Sequence, residues 1–262
     1  MSETAGQEYT DQGTRVTREF PVDVIDVHPD TEALVAAAAV RFVEVVVAAQ
    51  AARGSASVVL TGGGTGVGLL ELVRKSPGDI DWSRLDIFWG DERFVPAGDP
   101  ERNELQARRA LLDHVPVNHA RVHPVAASDG EYPDPVEAAA EYSAAVHAHL
   151  AEYGAFDLHL LGMGGEGHVN SLFPDTDAVR EQHEFVVAVT DSPKPPPVRV
   201  TLTLPAVRRT RHVVLVVGGA AKAEAVAAAI AGAEPVDIPA AGAIGQESTT
   251  WLLDQEAAAA LR

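Results

Sequence analysis

The chain has 262 residues, 46% of them apolar, with a net charge of −18 and no cysteine. That length and apolar fraction suit a globular protein with a full core. The charge argues against a general nucleic-acid or anionic-membrane surface, and the missing cysteine removes disulfides, thiolate metal sites and a Cys nucleophile. The N-terminus lacks an apolar signal segment, and no apolar run approaches the roughly 18 residues of a membrane span. A soluble cytoplasmic protein is the expectation, with a monomer as the default.

Residues 1–19 are polar and expected to be disordered. Residues 20–262 are expected to form one α/β domain, without a fixed-period repeat. Val22–Val27 reads as a strand, and Thr31–Ala52 as a helix capped by Asp30. The strand Ser57–Leu60 empties into Thr61-Gly62-Gly63-Gly64-Thr65, ahead of a helix over Gly66–Arg74. Backbone N–H groups at such a junction, the helix dipole and the two threonine hydroxyls make an anion site. A plain tight turn would need only one glycine. No Gly-Lys-Ser/Thr follows, so this is not a nucleotide P-loop. Leu85–Trp89 is a strand ending in Gly90-Asp91-Glu92-Arg93. Charge runs are usually solvated, but this one lies at a strand's C-terminal end, where α/β sheets bind ligands. Helices follow over Asn103–Leu112 and Pro135–Tyr153.

Phe156–Leu161 is an apolar strand that opens into Gly162, Gly164, Gly165 and Gly167, then His168. Glycine lets the backbone turn sharply and approach a ligand, and a His there can exchange a proton near neutral pH. The stretch Gly162–Gly167 matches the dinucleotide pattern G-x-G-x-x-G, but Pro174 cuts short the long helix that pattern should open. Phe185–Val189 and Val198–Leu204 read as strands around Lys194-Pro195-Pro196-Pro197-Val198-Arg199. The prolines suit either an interaction ligand or a stiff arm presenting Arg199 to an anion. The strand His212–Val217 precedes Gly218-Gly219-Ala220-Ala221-Lys222 and a helix over Ala220–Ala231. A cation in a helix's first turn opposes the dipole, and a bound anion would remove the conflict, so Lys222 is a phosphate candidate. Thr249–Leu253 reads as a short strand and Asp254–Leu261 as a last helix.

The other histidines carry weaker signals. His119 and His123 have metal-like spacing without a third ligand. His147 and His149 point to different faces of one helix. His159 reads as packed within its strand. No G-x-S-x-G nucleophile elbow exists. Strands alternating with helices imply a mostly parallel sheet.

Taken together, TGGGT, FWGDERFVP with Asn103 after it, FDLHLLGMGGEGHVNSLFP, SPKPPPVRVTLTLP, GGAAK and the terminal WLLD resemble the 6-phosphogluconolactonase family, a relative of the glucosamine-6-phosphate deaminases. The resemblance runs from about Val22 to Ala257. Two departures stand out: Glu166 occupies the place of a usual Asp, and Gly64-Thr65-Gly66 replaces a common Ser-Thr-Pro, which should loosen the helix start. The resemblance implies a three-layer α/β/α fold of modified Rossmann type with its site at the sheet's C-terminal edge. It implies hydrolysis of 6-phosphoglucono-δ-lactone in the oxidative pentose phosphate pathway, with no nucleotide cofactor and no catalytic metal. His168 is then the general base, with Glu166 or Asp91 orienting it, and Arg93 meets the lactone oxygens or oxyanion. Thr61, Gly62, Gly63, Gly64 and Thr65, with Arg199 and Lys222, hold the phosphate. A glucosamine-6-phosphate deaminase ranks second, because the acid of its Asn-Glu-Pro pattern is missing from Asn170-Ser171-Leu172-Phe173-Pro174. A non-catalytic sugar-phosphate sensor ranks third, since His168 is present and no DNA-binding module is visible.

Overall fold

The structure is a computed structural model and describes residues 23–261; the expectation of disorder over 1–19 lies outside them. In chain order the elements are β1 (Asp23–His28), α1 (Thr31–Arg53), β2 (Ala56–Leu60), α2 (Gly63–Lys75), β3 (Leu85–Trp89), β4 (Asp91–Arg93), α3 (Asn103–Ala110), α4 (Pro135–Tyr153), β5 (Phe156–Leu161), α5 (Asp177–Arg180), β6 (Val186–Val189), β7 (Arg199–Leu202), α6 (Leu204–Val207), β8 (Thr210–Val217), α7 (Ala223–Ile230) and β9 (Ser248–Asp254). Six strands form a parallel sheet in the order β1-β9-β8-β5-β2-β3. A second sheet, β4-β7-β6, is antiparallel.

The central strands are apolar on both faces, as a covered parallel sheet requires. Val58, Leu60, Leu158, Leu160, Val214 and Val216 pack under α1, α2 and α3. Their strand neighbours Val59, Val213, Leu215 and Val217 point the other way, toward α4 or toward α6 and α7. This period-2 split produces the three layers. Asp30 caps α1 by accepting from Ala33 N at 2.8 Å, as the sequence anticipates. Among the described residues, no helix is long and apolar enough to cross a membrane.

Several boundaries depart from expectation. The helix expected from Gly66 begins three residues earlier, so Gly63 and Gly64 form its first turn and Gly62 its cap. The helix expected over Asn103–Leu112 ends at Ala110 and gives way to a 3-10 turn at Leu112–His114. That expected over Ala220–Ala231 splits into a 3-10 turn, Ala220–Lys222, and α7. The last expected helix, Asp254–Leu261, is a series of turns instead. The Asp254 side chain accepts from Gly219 N, Ala257 N and Thr31 Oγ1, which ties this segment to two other elements.

Chain order reverses across the sheet at β2. From β2 the chain steps outward to β3, then returns to the other side of β2 as β5. Ligands bind α/β sheets in the crevice at such a reversal, outside the strands' C-terminal ends.

Candidate active site

A cavity of about 240 Å³ lies in that crevice. Thr61–Gly66 after β2, Asp91 and Arg93 after β3, Asn103 of α3, and Gly162, Met163, Gly164, His168 and Asn170 after β5 line it, with Lys222 beyond β8. Gly162 N donates to Thr61 Oγ1 at 3.3 Å across the crevice. The expected anion loop, Asp91 with Arg93, His168 and Lys222 therefore converge from four chain segments.

The glycines around His168 are there for clearance. A Cβ on Gly164 would stand 2.0 Å from His168 Nδ1 and 2.6 Å from Glu166 Oε2. Gly167 has φ +87°, a region that disfavours side chains. Gly167 N donates to Gly164 O, and Gly164 N to His168 O, each at 3.0 Å, closing a tight turn. The chain then turns on to Pro174 without opening a helix, which removes the dinucleotide reading. The His168 ring packs 4.4 Å from that of Phe173.

His168 Nδ1 lies 3.1 Å from Glu166 Oε1, so Glu166 rather than Asp91 is the acid in contact with the imidazole. With Nδ1–H directed at the carboxylate, Nε2 is the unprotonated nitrogen. Lys194 Nζ closes the cluster, 2.7 Å from Glu166 Oε1 and 3.5 Å from His168 Nδ1. Burial works to raise the Glu166 carboxyl, but the Lys194 hydrogen bond and the His168 and Lys194 charges override it and hold it below its ordinary range. Burial and then the Lys194 charge lower His168, with Glu166 and Asp91 opposing. The imidazole is thus neutral, and ready to accept a proton, at a lower pH than a free histidine. Lys194→Met removes one lowering cause and leaves Glu166 uncompensated. Both effects raise the His168 pKa, so the acid limb of kcat/KM should move to higher pH. An acid limb that stays put, or moves lower, would detach Lys194 from the base.

The β3 acids divide their roles. Asp91 Oδ2 accepts from Ser171 Oγ at 2.6 Å, and Asn103 Nδ2 donates to Asp91 O at 2.8 Å. Glu92, fully buried, accepts from the backbone N–H groups of Arg93, Asn103 and Glu104. From β4 it satisfies the first N–H groups of α3, whose N-cap residue is Arg102, and holds Asn103 in place. Burial raises its pKa to about 7, with Arg102 and the three N–H groups opposing. Arg93 lines the cavity; its Nη1 donates to Glu101 O, and its buried Nε has no partner.

The anion loop is open toward the cavity. Gly62 caps α2 without a side-chain bond, and α2 has no acid in its first turn. A Cβ at Gly62 would meet Asn103 Oδ1 at 1.9 Å, and one at Gly66 would meet Thr61 O at 2.5 Å, so neither position admits a larger residue. Half-buried Lys222 has its pKa lowered by burial and by Lys194, against Asp254 and Glu166.

Arg199 departs from expectation. It is buried and does not line the cavity. Its Nε donates to Pro196 O at 3.0 Å and its Nη2 to Lys194 O at 3.0 Å, while Nη1 lies 3.7 Å from Asp91 Oδ2. Arg199 fastens the proline arm from beneath, and the cation the arm presents is Lys194. Lys194, Asn103 and Asn170 join the site without being expected there: Asn103 and Asn170 line the cavity, and Lys194 reaches Glu166 and His168. Lys194 had a usable signal, a lone lysine before three prolines in a chain with only three lysines.

His123, His147 and His149 lie away from the cavity. His123 stacks on Phe88, with ring centroids 4.4 Å apart. His147 is exposed and His149 buried on opposite faces of α4. Among the described residues, no group of three or more His, Asp or Glu side chains is placed to hold a metal.

Residues 29–251 match the family described as glucosamine-6-phosphate isomerases/6-phosphogluconolactonase. A 6-phosphogluconolactonase of Mycobacterium tuberculosis is 56% identical over 241 residues, covering 90% of this chain and 98% of that one. A 6-phosphogluconolactonase of Streptomyces coelicolor is 54% identical over 243 residues, covering 90% and 93%. The structure of 6-phosphogluconolactonase from Trypanosoma cruzi superposes with a TM-score of 0.78 at 28% identity, covering 92% of this chain and 97% of that one.

Proposed function

The chain belongs to the glucosamine-6-phosphate isomerase/6-phosphogluconolactonase family, and from that premise we infer that it hydrolyses 6-phospho-D-glucono-1,5-lactone to 6-phosphogluconate in the oxidative pentose phosphate pathway. The observation that carries the reading is the His168–Glu166 pair, 3.1 Å apart, with His168 lining the cavity beside an anion loop. Water attacks the lactone carbonyl while His168 Nε2 takes its proton. The tetrahedral oxyanion that forms is met by Arg93, which lines the cavity. Collapse breaks the bond between the carbonyl carbon and the ring oxygen. His168 returns the proton to that oxygen, and the new carboxylic acid ionises. Glu166 holds the Nδ1 proton and stabilises the transient imidazolium, as an oriented carboxylate does beside a catalytic histidine. Lys194 keeps Glu166 ionised. Gly62–Thr65 at the start of α2, with Thr61 and Lys222, holds the phosphate. Binding energy from that remote group positions the carbonyl. Arg199 acts through the arm it fastens. None of these steps calls on a cofactor.

The test is a coupled assay of the purified protein on two substrates, 6-phosphogluconolactone and glucosamine 6-phosphate. Hydrolysis of the first without ammonia release from the second is expected; the reverse pattern would make the protein a deaminase.

A further inference from the structure

His159 lies in the middle of β5, fully buried, and the mechanism above leaves it unused. Neither ring nitrogen has a partner of normal hydrogen-bond geometry. Burial lowers its pKa to about 3, with Asn170 opposing, so it is neutral at any working pH. A buried polar group without partners lowers stability, and a bulky apolar residue would fill this place without that cost.

The neighbour of His159 has the same kind of anomaly. Asn170 is nine-tenths buried and lines the cavity, yet neither its Oδ1 nor its Nδ2 has a partner. Its φ is +50°, a left-handed conformation that costs a non-glycine residue free energy. Strain and unmet polar groups of this kind concentrate where a ligand is bound. The two side chains meet above Gly90. A Cβ there would stand 2.2 Å from Asn170 Oδ1 and 2.9 Å from His159 Nε2, so only glycine leaves room for the pair. Asn170 lines the cavity beside that meeting point.

We propose that Asn170 contacts the lactone by donating from Nδ2 to a lactone oxygen, and that His159 is the positioning residue that fixes it, its Nε2–H meeting Asn170 Oδ1 once the lactone is bound. The proposal rests on lactone hydrolysis as the reaction at this cavity. A neutral imidazole suits the task, because it adds no charge to a site that must bind a phosphorylated substrate and works unchanged across the pH range of His168.

The experiment is a double-mutant cycle on the intact protein. Asn170→Ala, His159→Leu, His159→Gln and the double variant Asn170→Ala/His159→Leu are assayed on 6-phosphogluconolactone, with thermal unfolding measured alongside. Asn170→Ala should lower kcat/KM by roughly 10–100-fold, the range expected for a buried hydrogen bond left unmade. His159→Leu should lose much of the same factor at every pH tested, while its unfolding midpoint is unchanged or raised. Gln, whose side-chain amide reaches the place of Nε2, should restore most of the activity. The double variant should be no worse than Asn170→Ala, because His159 acts only through Asn170. If the Leu variant does not fold, His159→Asn, which withdraws the donor from that place, takes its position in the cycle. Wild-type kcat/KM in a folded His159→Leu protein, or losses that multiply in the double variant, would overturn the assignment. Absence of lactone hydrolysis in the unmutated protein would instead sink the functional reading beneath it.

Discussion

His168→Ala is expected to lower kcat by roughly 10²–10⁴-fold, the usual share of a general base, with KM little changed. The magnitude follows from how much of the site serves this one ring. Gly164 is bare so that the imidazole can approach, Glu166 takes Nδ1, and Phe173 packs against its face. Alanine leaves all of that in place and removes only the proton acceptor. In the proposed mechanism substrate binding rests on the anion loop and Lys222, which the substitution does not touch, so KM should hold. The supporting measurement is the pH profile: the acid limb belonging to His168 should vanish from the residual activity. Near-normal kcat in the variant would remove His168 from the mechanism, however well its surroundings fit.

Lys222→Ala should weaken the phosphorylated lactone selectively. Loss of one charge-assisted hydrogen bond is worth about 1.5–3 kcal/mol, so KM should rise by roughly 10–100-fold. Unphosphorylated gluconolactone should be turned over by wild type and variant almost alike, since the cation then has nothing to meet. Long-range electrostatics makes this contact matter more: a chain of net charge −18 repels a phosphate dianion until local cations take over. Lys222 is half-buried, so salt should screen it less than a surface ion pair. Equal losses on both lactones would place Lys222 on the sugar ring or in the fold instead of on the phosphate.

Much of this was legible in the sequence because it is local. A strand emptying into glycines and a His, or a Gly-rich turn opening a helix, is written within a dozen residues. The chemistry needs those residue types in that order. The limits of β3, α4 and β5 follow in the same way from continuous apolar runs and from caps at either end. Helix limits that depend on a partner elsewhere were misplaced. The segment after β9 has helix-forming alanines, yet Asp254 binds Gly219 and Thr31, and the turns follow those contacts in preference to propensity.

The layered parallel fold and the phosphorylated lactone as substrate were legible in the sequence by itself, as were the glycine turns that carry the proposed anion loop and the proposed base, His168. Those rest on periodicity, turn chemistry and ordered motifs, which short-range sterics and hydrogen bonding enforce. Only the tertiary structure decided between Glu166 and Asp91, which both stand beside glycine turns. Glu166 reaches His168, while Asp91 is taken by Ser171 and Asn103. It also decided between two cations on one proline arm. Arg199 starts β7, and its guanidinium turns back under the arm, whereas Lys194 stands at the tip and reaches Glu166. The pairing of His159 with Asn170 was equally out of reach, because it exists only where β5, the loop after it and Gly90 pack together. Which of two chemically equivalent side chains reaches a third is a matter of ångströms between segments far apart in the chain, and no local pattern encodes those distances.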